Sequence, residues 1–242
     1  MGEKIPIESF HWSELKNRCA EIAVERDFKL AESGGRFESE ELILTPPLVF
    51  PISPRATSDS GSDTTAELAA RRANRSRSLA TAPNSDLDRF LKSVPLEPGL
   101  HCMILLQAGA VSLGMFQAGE VRYTKSMKRY VVRGKGRAQP TYLNTRGKSR
   151  YGSRLRLQNA RMLFEETNSK LTEFFDEFGE PDLIFASAPV RLWPDLFRAK
   201  VPPPFDQEHP IIKVPLDLPV PTTEVLLRTY KSLCYGKLER TV

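Results

Sequence analysis

The residues best equipped for chemistry lie in one short run, Arg133-Gly134-Lys135-Gly136-Arg137-Ala138-Gln139-Pro140. Gly134 and Gly136 can adopt positive φ, cations flank them, and one uncharged amide, Gln139, stands near the end of the run. A glutamine has no useful pKa and is no general base at neutral pH. Its carboxamide can hold a water by hydrogen bonding while neighbouring backbone N–H groups face a developing oxyanion. That combination suits hydrolysis of an already activated ester whose own surroundings supply further groups. It does not suit dinucleotide binding: the third glycine of that fingerprint is absent, and no acidic residue follows about twenty residues later for a ribose. Gly147-Lys148-Ser149 has the end of a phosphate-binding P-loop but not its spacing.

The charge around this run points the same way. Between Glu120 and Glu165 there is no acidic residue, yet thirteen cations occur: Arg122, Lys125, Lys128, Arg129, Arg133, Lys135, Arg137, Arg146, Lys148, Arg150, Arg154, Arg156 and Arg161. The whole chain carries only +5, from 35 Lys and Arg against 30 Asp and Glu, so the remainder holds 22 cations against 30 acids, a net −8. An ordinary solvated face mixes both signs, whereas an acid-free block on an otherwise acidic chain calls for a polyanion. A nucleic acid is favoured over an anionic membrane, because Gly134, Gly136, Gly147 and Gly152 interrupt the block and prevent one amphipathic helix. An acidic protein partner is the remaining alternative.

Other chemistries find little support. Cys19, Cys102 and Cys234 are odd in number and far apart, which suits free, packed thiols and neither a disulfide framework nor a metal knuckle. His11, His101 and His209 are scattered, so no metal and no cofactor is expected. The longest apolar stretches, Cys102 to Leu106 and Leu183 to Val190, fall well short of the roughly 18 residues that cross a bilayer. The first thirty residues show no secretory signal, and a cytoplasmic protein is expected. At 242 residues and 40% hydrophobic content the chain can bury a sizeable core.

Several elements must position the run. Residues 12–30 show a helical apolar spacing (Trp12, Leu15, Cys19, Ile22, Ala23), and 41–52 read as an extended, proline-interrupted segment. Together 1–52 form an N-terminal helix and extended piece. Residues 53–86, rich in Ser, Thr, Ala, Asp and Arg, read as a flexible linker that buries too little to offset its backbone entropy. The main domain, 87–242, begins with a short helix (87–93). Four strand-like runs follow (101–107, 111–117, 120–125 and 128–133), punctuated by Gly109, Gly114 and Gly119. A Gly, Lys and Arg-rich loop then leads into a long helix, 153–178, with the apolar stripe Leu157, Ala160, Phe164, Leu171, Phe174, Phe175 and Phe178. A strand (182–187), a short helix (193–199), a strand (211–214) and a last helix (222–235) complete an α+β or α/β domain with one mixed sheet. Tyr130 is expected to pack on its strand, while Tyr142 and Tyr151 sit among the cations where bases can stack.

Short matches in register extend this reading. Phe116-Gln117 with Glu120-Val121, then Thr124-Lys125-Ser126 and Arg129-Tyr130-Val131-Val132-Arg133, resemble a strand pair of the VMS-like branch of the peptide-release-factor superfamily. Gly136-Arg137-Ala138-Gln139 falls where that family has its GGQ-like loop. Gly152-Ser153-Arg154-Leu155-Arg156 and Asn159 are similar to the start of its long helix, and Pro221-Thr222-Thr223-Glu224-Val225-Leu226 to its C-terminal run. The likeness covers roughly residues 100–238. It implies an RNase H-like central domain and a ribosome-associated peptidyl-tRNA hydrolase acting on stalled nascent chains, by ester hydrolysis or by cutting the tRNA 3′ end. By the same resemblance Gln139 is the catalytic residue, in a loop formed with Gly134, Gly136, Arg137 and Ala138. Lys125, Lys128, Arg129, Arg133, Lys135, Arg146, Lys148, Arg150, Arg154 and Arg156 would contact RNA phosphates. The implied partners are the large ribosomal subunit and peptidyl-tRNA, with neither DNA nor membrane. The alternative is a non-catalytic RNA- or ribosome-binding module of the same fold. A nuclease is disfavoured, since the basic block has no clustered carboxylates to hold Mg²⁺.

Overall fold

The computed structural model describes residues 8–23, 27–52, 86–131, 148–206, 209, 211–215 and 217–241, with 148–153 described by their backbone alone. The chain divides into two compact units, one of residues 1–97 and 232–242 and the other of 98–231. The division differs from the boundary at residue 87 expected from composition. Helix α2 (Asp86–Ser93) buries Leu87 and Phe90 within the first unit, where Phe90 meets Phe37 with ring centroids 5.3 Å apart. Its Asp86 carboxylate accepts a hydrogen bond from the Leu30 backbone N–H at 2.9 Å.

The first unit carries an antiparallel sheet in the order β1-β10-β4-β3-β2. Its strands are β1 (Glu8–His11), β2 (Lys29–Leu30), β3 (Phe37–Glu38), β4 (Leu42–Thr45) and β10 (Tyr235–Arg240). The chain's last strand therefore lies between β1 and β4, paired Phe10 to Gly236 and Leu44 to Leu238. Gly236 is required there, because a Cβ would meet the Phe10 ring at 2.4 Å. A one-turn 3₁₀ segment (Trp12–Glu14) runs into α1 (Leu15–Ala23), which buries Leu15 and Cys19 and is shorter than the helix expected over 12–30.

The second unit holds the mixed sheet. Its strands are β5 (Leu100–Gln107), β6 (Ala110–Gln117), β7 (Glu120–Lys128), β8 (Leu183–Ser187) and β9 (Ile211–Lys213), in the order β7-β6-β5-β8-β9. Only β6 opposes the others: it is antiparallel to β5 and β7, while β8 runs parallel to both β5 and β9. Third-second-first-fourth-fifth order with a single reversed strand is the sheet of an RNase H-like fold. Of the two segments expected as separate strands, 120–125 and the start of 128–133 belong to the single strand β7, and residues 132–133 lie outside the described residues. The β6–β7 hairpin turns on Ala118 and Gly119, at φ 53° and 84°, a pair of positive angles that matches strand twist.

One face of β5 and β6 (Cys102, Ile104, Leu106, Val111, Leu113, Met115) packs under Leu163, Phe164, Leu171 and Phe174 of α3 (Lys148–Phe178) and Leu196 of α4 (Trp193–Phe197). The other face meets α5 (Thr223–Leu233): Tyr230 stacks on Phe116 at 3.6 Å, and its hydroxyl lies 3.0 Å from His101 Nδ1. Buried on both faces, β5 and β6 need the near-continuous apolar runs they have. Among the described residues no helix is long and apolar enough to cross a membrane.

Candidate nucleic-acid interface

Parallel strands put like ends together. The carboxyl ends of β7, β5, β8 and β9 share one edge of the second unit's sheet, and the segment that contains Gln139 leaves from that edge after β7. Gly109 shapes the exit. At φ 82° it accepts the Arg129 N–H through its carbonyl at 2.8 Å, and an added Cβ would lie 2.6 Å from the Arg129 carbonyl oxygen. Beyond it, the Asn159 side-chain amide on α3 donates to the Tyr130 carbonyl at 2.8 Å, and Arg129 pairs with Glu166 on the same helix at 2.8 Å. Three contacts thus fix the root of the loop to the sheet and to α3.

Helix α3 then overshoots its sheet. At 1.5 Å per residue its 31 residues span about 46 Å, against roughly 30 Å for the nine residues of β7. Its C-terminal end joins β8 through residues 179–182, so the excess projects past the carboxyl edge. Burial records this: none of residues 154–162 is buried, and Leu163 is the first buried side chain among the described residues of the helix. Leu157, expected in the apolar stripe, is 55% exposed for this reason, whereas Phe164, Leu171 and Phe174 are buried. Arg154, Leu157 and Arg161 recur at helical spacing and share one exposed face. Neither arginine, nor Arg156, forms an ion pair among the described residues.

The charge along α3 opposes the helix's own field. Its first turn holds no acid and its last turn no base. Lys148 and Arg150 stand at the N-terminus, Asp176 and Glu177 at the C-terminus, although the macrodipole favours the reverse at both ends by about 0.3–1 kcal/mol per charge. Local stability therefore does not account for the arrangement.

The positions expected to bind RNA separate into groups. Arg154 is exposed and Arg156 half-buried on the projecting half, while Lys148 and Arg150 start its backbone. Lys125 and Lys128 are exposed on β7 but on opposite faces: Lys125 pairs with Leu113 on the α3 side, and Lys128 pairs with Ala110. Arg129 is engaged by Glu166 and acts as a brace. Arg133, Gly134, Lys135, Gly136, Arg137, Ala138, Gln139 and Arg146 lie outside the described residues. Tyr130 is 55% exposed beyond the strand instead of packed on it. Glu166 was not singled out in the sequence, and Gly109 only as a turn residue. An acid one helical repeat beyond Asn159 was the available signal for Glu166, visible only once α3 is laid against β7.

Elsewhere in the chain, burial shifts several titratable groups. Burial pushes the Cys19 and Cys102 thiols up to about 12, so they pack as small hydrophobes. Burial pushes the His101 imidazole down to about 4, against a smaller upward pull from Asp182. Among the described residues no group of three or more His, Cys, Asp or Glu is placed to hold a metal ion.

A family model described as "Bacteroidetes VLRF1 release factor" matches residues 101–241, more than half of the sequence. The solved structure titled "Vms1 mitochondrial localization core" aligns at 13% identity with a TM-score of 0.41, over 78% of this chain and 94% of that one. No curated protein matches.

Proposed function

Because the chain belongs to the Bacteroidetes VLRF1 release-factor family, we propose that it is a VMS-like peptidyl-tRNA hydrolase of the cytoplasm that frees nascent chains from stalled ribosomes. The observation that carries this reading is the unburied, acid-free half of α3 beside the braced root of the Gln139 loop. The cations hold tRNA or ribosomal RNA by its phosphates, and the brace sets where the loop begins.

In the reaction, Gln139 orients a water toward the ester carbonyl that joins the peptide to the tRNA ribose. Water oxygen adds to the carbonyl carbon, backbone N–H groups receive the oxyanion, and the bond to the ribose oxygen breaks. The ribose oxygen takes up a proton, leaving a peptide acid and deacylated tRNA. A neutral carboxamide suffices because the ester is activated and the RNA supplies neighbouring hydroxyls.

Peptide release from stalled ribosome–nascent chain complexes tests the proposal. Gln139→Ala should slow release by about 10²-fold or more while co-sedimentation with ribosomes persists. Equal release by the variant overturns the glutamine mechanism. Sequencing the 3′ end of the product tRNA separates ester hydrolysis, which leaves it intact, from cleavage within the tRNA. Ribosome binding without release by the wild-type chain would favour the non-catalytic module.

A further inference from the structure

Each parallel strand of the second unit's sheet has its amino end at one edge and its carboxyl end at the other, and the two edges differ in charge. Glu120 opens β7, Glu180 and Asp182 precede β8, and Asp206 lies ahead of β9. At the opposite edge Lys128 closes β7, Lys213 closes β9, and Arg191 follows β8. The first acids along the chain beyond those carboxyl ends are Glu165 after β7, Asp195 after β8, which faces Arg198 at 3.8 Å, and Asp217 after β9.

The turn after β8 is built and not loose. The Pro189 carbonyl accepts the Leu192 N–H at 2.9 Å and the Trp193 N–H at 3.3 Å, and Ala188, Leu192 and Trp193 pack against the core beneath. On this fixed base Val190 is 83% exposed and Arg191 is exposed beside it. An aliphatic residue held out in water next to an arginine, on a turn whose neighbours are packed, serves a partner that is both anionic and partly apolar. Carboxyl-end crevices are where open α/β sheets take ligands.

We infer that the carboxyl edge of this sheet is a second RNA-binding surface, in which Arg191, Lys213 and Lys128 contact phosphates and Val190 rests on a sugar or base face. The inference deepens the proposed function, on which it rests, by continuing the RNA path from the projecting half of α3 across the sheet edge. With neighbouring strands about 4.8 Å apart, β7 and β9 are separated by roughly 19 Å, the span of several nucleotides of backbone. The occupant is nucleic acid and not an acidic protein, because the edge adjoins the acid-free projecting half of α3 and extends its cations.

Binding of deacylated tRNA to the full chain, measured by filter retention from 50 to 200 mM salt, tests the edge. Arg191→Glu with Lys213→Glu should weaken binding about tenfold or more and lower the salt slope by about 2, one unit per lost phosphate contact. Val190→Asp should weaken binding with less change of slope. Glu120→Gln with Glu180→Gln, at the opposite edge, should leave affinity within about twofold. Thermal melts confirm that each variant is folded. Unchanged affinity and slope for the Arg191 and Lys213 pair, with Arg154→Glu plus Arg161→Glu still weakening binding, overturns this surface and spares the proposed function. Unchanged binding in both pairs overturns both. Loss of binding at the edge together with normal release by Gln139→Ala supports the surface and rejects the mechanism.

Discussion

Residues 163–178 and residues 148–162 belong to one continuous helix, yet they differ in both burial and charge. The later segment buries Leu163, Phe164, Leu171 and Phe174 against β5 and β6 and carries Glu165, Glu166, Glu173, Asp176 and Glu177. The earlier one buries none of its described side chains and carries only cations. Packing determines the first set of residues, whereas in the second Asn159 bonds to Tyr130 and Arg154, Arg156 and Arg161 form no ion pair among the described residues. A helix can therefore be held at one end by its core and extend at the other as a handle for a partner, with the charge pattern changing where burial stops.

Stability measurements should separate the halves most strongly. Phe174→Ala removes a ring that is 2% exposed and meets Tyr123 at 5.1 Å, and should cost about 3–5 kcal/mol in urea unfolding. Leu157→Ala should cost less than about 0.5 kcal/mol. A comparable loss at Leu157 would mean that the projecting half is packed, and the distinction would fail.

The next effect is one of pH. His101, on the sheet face under α5, has its pKa depressed by burial to about 4 from an ordinary value near 6.5. Between those values the unfolded chain binds the proton and the folded chain does not, so stability rises with pH across the window. The contribution is complete above pH 6.5 and is lost as pH falls toward 4, amounting to about 3 kcal/mol. His101→Gln should flatten that slope. Residues 148–162 contain no histidine, so the salt dependence of tRNA binding should not change between pH 7 and 5.5. A parallel loss of both would link the two regions after all.

Much of the packed region was legible in the sequence. Strands β5 and β6 were placed within one residue of their ends, because full burial demands unbroken apolar runs and Gly109 and Gly119 mark the turns. The edge strand β7 was divided at residues 126–127, since its exposed side leaves no continuous apolar alternation through Ser126 to mark one strand. Strand β10 has no counterpart in the sequence reading, which ends the last helix at Tyr235: Tyr235-Gly236-Lys237-Leu238 has no clear period, and its partners β1 and β4 lie some two hundred residues earlier. For the candidate site, the cationic block was visible as composition. Its division into free arginines, an arginine braced by Glu166, and lysines on opposite faces of one strand depends on pairings that only the fold creates.

Asn159 lies near the boundary between the halves and should show an intermediate effect. Asn159→Ala removes the hydrogen bond to the Tyr130 carbonyl and should cost about 1 kcal/mol. If it also positions the loop root, peptide release should fall further than the loss of folded chain explains, with tRNA affinity unchanged. Asn159→Asp removes the donor as well and should match the alanine variant.

The smallest effect discriminates most finely, because it asks whether the charge pattern of α3 serves stability or binding. Lys148→Glu at the N-terminus and Glu177→Lys at the C-terminus each replace a charge that opposes the macrodipole with one that complements it, and each should stabilise the fold by about 0.3–1 kcal/mol at low salt. Their effects on tRNA should diverge. Lys148→Glu places an acid in the projecting half and should weaken binding, whereas Glu177→Lys lies at the packed end and should leave it nearly unchanged. Destabilisation by both would show that the native charges are held by local contacts, and polyanion binding would no longer be needed to explain them. A gain in stability with loss of affinity at Lys148, and a gain without loss at Glu177, would identify the cationic half of the helix as maintained for its partner at the expense of its own fold.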